Sequence, residues 1–323
     1  MNRALIGKAI AAAFAACLAA TGAQAATQIT LKSAKTTSSY YMMMVQLAEM
    51  MKTASKGAII PTVEESQGSV QNVKESFVRP GNFLFTSPPS LIASAREGKK
   101  PFEGQAHDTA RALFPVPGIT VHFVVRNETG ITSIPGLAGH TFVSGGKGTF
   151  CEKSVDKALT VLGLAGKVNV EAVELPAASS AMRNAKIDGF ATCSSHPTPQ
   201  LVELATTNEL TILSFTDAER AAIIKMNPMY APLTLPAGTY KGQDKPVATL
   251  AMPVGAYGTA KMDDKTAYTI TKTFWEWKAK LAADNPWWKG VTKDVVPLLG
   301  AKVHPGAAKY YAEIGLKLPD SMK

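Results

Sequence analysis

The chain holds few of the residues from which catalytic and metal centres are usually built. Cysteine occurs three times and histidine five times in 323 residues. The histidines, at 107, 122, 140, 196 and 304, fall into no H-E-x-x-H or comparable metal-ligand spacing. No G-x-S-x-G elbow is present to carry a hydrolase serine. Aromatic residues make up only 7% of the chain and form no array with arginine, which argues against a nucleic-acid partner. Internal repeats and a low-complexity stalk are missing too, so a surface adhesin is disfavoured. Past residue 25, no apolar run approaches the roughly 18 residues that a spanning helix needs.

The first 25 residues read as an address. Arg3 and Lys8 charge the start, residues 10–20 are apolar but too few to span a bilayer, and Ala23-Gln24-Ala25 has the small-x-small pattern of a cleavage site. The expected mature protein begins near Ala26, is exported to the periplasm and does not itself span the membrane. Losing Arg3 and Lys8 takes the formal charge from +9 to +7, spread without a basic run. A diffuse positive charge suits an acidic small ligand and serves solubility equally well. Removing 25 of 323 residues leaves 298, enough for one large or two medium domains.

The most informative stretch is 140–154, H-T-F-V-S-G-G-K-G-T-F-C-E-K-S. A short apolar strand at 141–144 gives way to Gly145-Gly146-Lys147-Gly148-Thr149, after which Val155, Ala158, Leu159 and Leu162 recur at helical spacing. Glycines let the backbone turn sharply and bare its N–H groups at a helix start, where unpaired donors and the helix dipole favour an anion. A nucleotide P-loop is discarded, because it would need Gly at Thr141 and Ser or Thr at Gly148. An ordinary strand-to-helix turn with a solvated lysine is the alternative.

Around this stretch strand and helix patterns alternate. Strands are predicted at 29–31, 59–63 and 83–86, and helices after the Ser38-Ser39 cap, with Tyr40, Met43, Met44, Leu47 and Met51 inward, after the glycine turn at 66–69, with Val70, Val73 and Phe77 inward, and after Ser87-Pro88-Pro89. The apolar, proline-broken run 113–125 reads as a crossing to a second lobe. There strands are expected at 168–173, 189–192 and 210–215, with a short helix at 181–183. A strand at 244–252 returns the chain, and Asp263-Asp264 caps a helix with Ile270, Phe274, Trp277 and Leu281 on one face. Trp275, Trp287 and Trp288 read as packing between lobe and tail, a partner-docking surface being the alternative. Such alternation implies mostly parallel sheets with ligand groups at the carboxyl ends of strands. The loops there, 33–40, 64–69, 86–90 and 193–197, are rich in hydroxyls, each of which could equally be a helix cap. Cys151 and Cys193 follow predicted strands in the same half of the chain; a disulfide between them and two buried free thiols both fit an exported protein.

Specific segments then carry a resemblance. Val63-Glu64-Glu65-Ser66-Gln67-Gly68-Ser69-Val70-Gln71-Asn72 is similar to the V-x-x-S-x-G-S-V-x-N segment of the TAXI family, the extracytoplasmic receptors of one branch of TRAP transporters. So are residues 182–189, 235–244 and His304-Pro305-Gly306-Ala307-Ala308-Lys309-Tyr310-Tyr311, in the family's order. The resemblance implies an α/β protein of the two-lobed periplasmic-binding-protein type (type II), each lobe a mostly parallel sheet flanked by helices and joined by hinge strands. On that plan lobe 1 is 26–122 and 247–323, and lobe 2 is 123–246.

It further implies a small organic anion in the cleft, often a carboxylate or dicarboxylate, and delivery to TRAP permease subunits, with no catalysis; an acidic amino acid is expected instead if Glu64 or Glu65 faces the cleft, and no residues are assigned to a cofactor or a metal. Its ligand-facing segments fall on Ser38, Ser39 and Tyr40, on Gly68, Ser69 and Asn72, on Ser87, on Gly145, Gly146, Lys147, Gly148 and Thr149, and on Ser194, Ser195 and His196. The chain departs from the family at Ser38-Ser39, where Gly-Thr is usual, and at Lys147, which is expected to add a full charge next to a ligand carboxylate. Closure around the ligand by population shift is the expected mechanism. Two rivals remain. One is an ABC-importer receptor for a sulfonate-like anion, which shares the architecture. The other is an enzyme using Cys151 at a helix start with His196 as base.

Overall fold

Strand and helix do alternate in the computed structural model, which describes residues 26–79 and 81–323; the expected signal peptide lies outside the described residues. One unit is built from β1 (Thr27–Lys32), α1 (Ser39–Ala54), β2 (Ile59–Glu64), α2 (Ser69–Val78), β3 (Phe83–Ser87) and α3 (Pro89–Arg96). A long strand, β4 (Ala110–Arg126), leads to β5 (Thr141–Val143), α4 (Phe150–Val161), β6 (Asn169–Val170), α5 (Leu175–Arg183), β7 (Gly189–Ser194), α6 (Pro199–Thr207), β8 (Leu210–Ile212), α7 (Asp217–Met226) and β9 (Ala231–Leu235). A second long strand, β10 (Val247–Thr259), returns the chain to α8 (Asp264–Asp284) and α9 (Pro305–Glu313).

The strands form one continuous sheet in the order β2-β1-β3-β10-β4-β7-β5-β6, with β8 on β4 and β9 on β10. β1 runs parallel to β2 and β3, and β5 parallel to β6 and β7. β4 and β10 are antiparallel to each other and belong to both lobes. β10 pairs with β9 from Val247 to Ala251 and with β3 from Gly255 to Tyr257. β4 lies against β7 from Thr120 to Val125. The changeover therefore sits near Met252 and Val254 on β10, where the register shifts, and just before Thr120 on β4. Pro115, Pro117 and Pro253 have no N–H to give to the ladder, so the hydrogen bonding between the strands is thinnest where the lobes join.

The helices form for local reasons and then bury one face. Ser38 caps α1 by accepting from the Tyr40 N–H, and the methionine stripe Met43, Met44 and Met51 is core. Asp263 caps α8 through the Thr266 N–H at 2.7 Å, and its Phe274 stacks on Phe114 of β4 with ring centroids 4.0 Å apart. Trp288 is fully buried and donates to Gln46, and Trp287 donates to the Pro197 carbonyl, so these tryptophans pack the tail against both lobes. Phe77 departs from the expected face: it is 55% exposed and stacks on His107. In β4 the alternation of a strand sends Phe123 and Val125 into one core and Val124 into another, so helices cover both faces of lobe 2.

Candidate functional site

Between the lobes lies a cleft of about 730 Å³, its open mouth included. Lobe 1 contributes Lys35, Thr37 and Ser38 from the β1–α1 loop, Gln67, Gly68 and Ser69 from the β2–α2 turn, and Thr86 of β3. Lobe 2 contributes Gly145, Thr149 and Phe150 where α4 begins, Leu175 of α5, and Thr192, Cys193 and Ser194 at the end of β7. Ile119 and Val254 line it from the two crossing strands. Apolar walls with a few hydroxyls and backbone donors are the usual make-up of a small-molecule site.

The starts of α1, α2, α4, α5 and α6 all reach this cleft. α1 is capped by Ser38 and α4 by Thr149, which accepts from the Glu152 N–H at 3.0 Å. α2 starts at Gly68 with no side-chain cap, which leaves its first N–H groups for a bound group. Gly145 must be glycine: its φ is +117°, and a Cβ there would lie 2.5 Å from the Cys151 sulfur.

The lobes touch across the cleft. Ser194 of β7 receives the Ser39 N–H at 3.2 Å and lies 2.5 Å from the Ser39 hydroxyl, with Ser38 at 3.3 Å. Glu174, just ahead of α5, stands 3.5 Å from the Lys35 ammonium and accepts from the Gln67 amide at 3.3 Å. Lys35 is the only charged side chain among the described residues that line the cleft. Its carboxylate neighbours, Glu174 and Glu65 at 3.8 Å, are both about half exposed, so neither pair is tight.

The residues singled out from the sequence divide. Ser38, Tyr40, Gly68, Ser69, Gly145, Thr149 and Ser194 line the cleft, and Ser39 joins Ser194 behind it. Lys147 does not: it and Gly148 are exposed, and the cation at the cleft is Lys35. Gly146 packs on Leu175, where a Cβ would lie 2.7 Å from the backbone nitrogen. Asn72 is buried and donates to the carbonyls of Ser33 (2.6 Å) and Thr86 (3.1 Å), tying two cleft loops together from behind. Ser87 turns to the Pro88 carbonyl. Ser195 and His196 face a different groove, beside the crossing strands and Trp287. There Ser195 donates to the Gly118 carbonyl at 2.7 Å, and His196 Nδ1 is 2.7 Å from the Thr120 hydroxyl. Tyr40 donates to the Pro117 carbonyl at 2.9 Å, and burial pushes its phenol pKa up, so it anchors α1 to the crossing as a neutral donor.

Of the two glutamates in the β2–α2 segment, Glu64 is structural. Arg79 holds it by two hydrogen bonds, at 2.6 and 2.9 Å, and Lys32 by a third, which lowers its pKa to about 2 against the opposing effect of burial. Lys35, Gln67 and Thr37 were missed as individual residues, although their loops were identified. A side chain's direction within a loop leaves no periodic mark in sequence.

Cys151 and Cys193 are joined in a disulfide that fastens the start of α4 to β7. Neither Cys151 nor Cys193 is a free thiol in this structure. Among the described residues no group of three or more His, Cys, Asp or Glu converges to hold a metal ion, and no helix is long and apolar enough to cross a membrane.

Among solved structures, the chain is similar to the periplasmic binding protein BugD, with 12% identity over 90% of this chain and 94% of that one and a TM-score of 0.52. It is similar also to a periplasmic transporter, with 10% identity over 92% and 95% and a TM-score of 0.51. At such identities the likeness is one of fold, and that fold is the two-lobed one of periplasmic solute-binding proteins. The model of the NMT1-like family matches residues 31–315; TAXI and TRAP membership is no part of that match. By this match over most of its length, the chain belongs to the NMT1-like family.

Proposed function

We propose that this protein is an exported, periplasmic solute receptor that captures a small organic anion between its lobes and hands it to a membrane permease. The reading includes no catalytic step. The observation that carries it is the cleft itself, where helix starts and hydroxyls from both lobes and the ammonium of Lys35 face one space. Backbone donors at helix starts and a lysine all favour negative charge, and none of the described residues that line the space is acidic. A carboxylate or dicarboxylate, or an acidic amino acid, fits this chemistry. Its anionic end would reach Lys35 and the uncapped start of α2, with its carbon skeleton against Ile119, Val254, Phe150 and Leu175.

The four segments that resemble TAXI receptors support delivery to TRAP-type permease subunits. A gene for a large multispanning permease beside this one is the expected context, whereas a neighbouring ATPase gene would assign the receptor to an ABC importer. The direct test is a thermal-shift screen of ligand-stripped mature protein against dicarboxylates, oxo-acids, amino acids, aromatic acids and sulfonates. At a hundred times the dissociation constant a true ligand adds about 2.7 kcal/mol, a shift of a few degrees. A carboxylate hit is expected. Silence across the panel with folded protein would defeat the organic-anion reading.

A further inference from the structure

Next to the cleft, and sharing Phe150 with it, lies a second groove of about 650 Å³ between the lobes, its open side included. The segment after α3 brings Lys100 to it from lobe 1. From lobe 2, α4 brings Lys153 and Lys157, one helical turn apart, and Asn227 and Tyr230 follow from the end of α7. Among the described residues none of these three lysines takes part in an ion pair. Lys35 in the cleft, by contrast, has a carboxylate on either side.

Three uncompensated positive charges, contributed by both lobes and facing one groove, repel one another when the lobes meet. At physiological salt such repulsion reaches about 8 Å. A multivalent anion placed between them would turn this repulsion into attraction. A monovalent one would leave two of the three charges uncompensated.

We propose that this groove is a second anion site, separate from the solute cleft, which takes a small multivalent anion of the polyphosphate or polycarboxylate kind and bridges Lys100 to Lys153 and Lys157. Because the site is complete only when the lobes are together, its occupant favours the same arrangement that the cleft ligand does. Each then strengthens binding of the other by the same factor. The inference does not depend on which solute the cleft takes.

Inorganic pyrophosphate, titrated calorimetrically into the mature protein at constant ionic strength, is the probe. Saturable binding is expected, weakened about fivefold or more by Lys100→Gln and by the pair Lys153→Gln and Lys157→Gln, but unchanged by Lys147→Gln, which removes an exposed charge that lines neither groove nor cleft. Thermal melts confirm that each variant folds; all three groove lysines lie at the surface or only partly buried. Four results would overturn the proposal: no saturable binding, equal binding by all variants, a loss confined to the lysines of one lobe, or a comparable loss in Lys147→Gln, which would make the attraction one of net charge alone.

Discussion

Two lysines sit near the glycine loop or opposite it, and they differ in what surrounds them. Lys147 is exposed, so water already solvates its charge and a ligand gains little from it. Lys35 lines the cleft and is 26% exposed at its side chain, held only by carboxylates at 3.5 and 3.8 Å that an incoming anion can outcompete. Lys35→Met is therefore expected to weaken binding of the carboxylate found by thermal shift by about tenfold or more, and Lys147→Ala to change it by less than about twofold. Calorimetric titration of both variants checks this; the reverse order would return the anion contact to the glycine loop.

His122 supports a prediction of a different kind. It is wholly buried on β4, with Nε2 3.0 Å from the Tyr240 hydroxyl and Nδ1 3.1 Å from the Thr120 carbonyl, and burial, helped by nearby His196, lowers its pKa from 6.5 to about 3. His107, His196 and His304 are lowered too, chiefly by burial. Below pH 6.5 the unfolded chain takes up protons on these groups that the folded chain refuses, so stability falls as pH falls from 6.5 toward 3. Glu64 adds its own loss between pH 4.5 and about 2. Urea unfolding at a series of pH values should show the decline beginning near pH 6.5, and His122→Gln should flatten it. A decline that begins only below pH 4.5 would contradict the assignment to histidine.

At the scale of elements, the start of α4 depends on a covalent tie. The disulfide closes a loop between residues 42 apart in sequence and sets the end of β7, and so Ser194, against Gly145 and the cap of α4. Loop-closure entropy for such a span gives about 4 kcal/mol, at the top of the usual range of about 2–4 kcal/mol. Cys151→Ala with Cys193→Ala is expected to lose about that much in denaturant unfolding and to weaken ligand binding, since a cleft wall is loosened. Unchanged binding in the double variant would show that Ser194 is positioned without the tie.

The same scale shows what the sequence could disclose. Periodic faces and caps made α1, α2, α4 and α8 legible, because 3.6-residue spacing and a capping side chain are local facts. α6 and α7 were missed although Thr198-Pro199 and the capping box of Thr216 and Glu219 mark their starts. α6 runs for only nine residues, and in α7 only Ile223 is buried, so neither presents a long repeating face. β6 shrank to Asn169–Val170 because this edge strand is exposed, and the apolar residues that suggested more of it serve loops. Loop positions of the site were readable as segments, but not side by side. Ser87, Asn72 and Gly146 turn out to brace the walls, and Ser195 and His196 face the crossing strands, through long-range contacts that no spacing records.

For the whole molecule the question is what holds the lobes together without a ligand. Among the described residues the polar contacts across the cleft are few: the hydrogen bonds of Ser194 with Ser38 and Ser39, the bond from Ser195 to the Tyr40 hydroxyl, the Glu174 contacts with Lys35 and Gln67, and the bond from Trp287 to Pro197. A buried hydroxyl bond contributes about 1 kcal/mol and a half-exposed ion pair about 0–1 kcal/mol, so together they bias the lobes by only a few kcal/mol. The crossing strands, with Pro115, Pro117 and Pro253 beside the changeover, offer little resistance to bending. Shifting such an equilibrium from 1:99 to 99:1 takes about 5.5 kcal/mol of differential affinity, which four or five ligand hydrogen bonds shared between the lobes would supply. Ser194→Ala combined with Glu174→Ala removes the Ser194 and Glu174 parts of this bridge but leaves Lys35 and the helix starts in place. Solution scattering should find this variant with a larger radius of gyration than wild type when free, and returned to the wild-type value by saturating ligand, at a weaker affinity. If the free variant is as compact as wild type, packing at the crossing strands holds the lobes, and ligand binding would have no domain motion to drive.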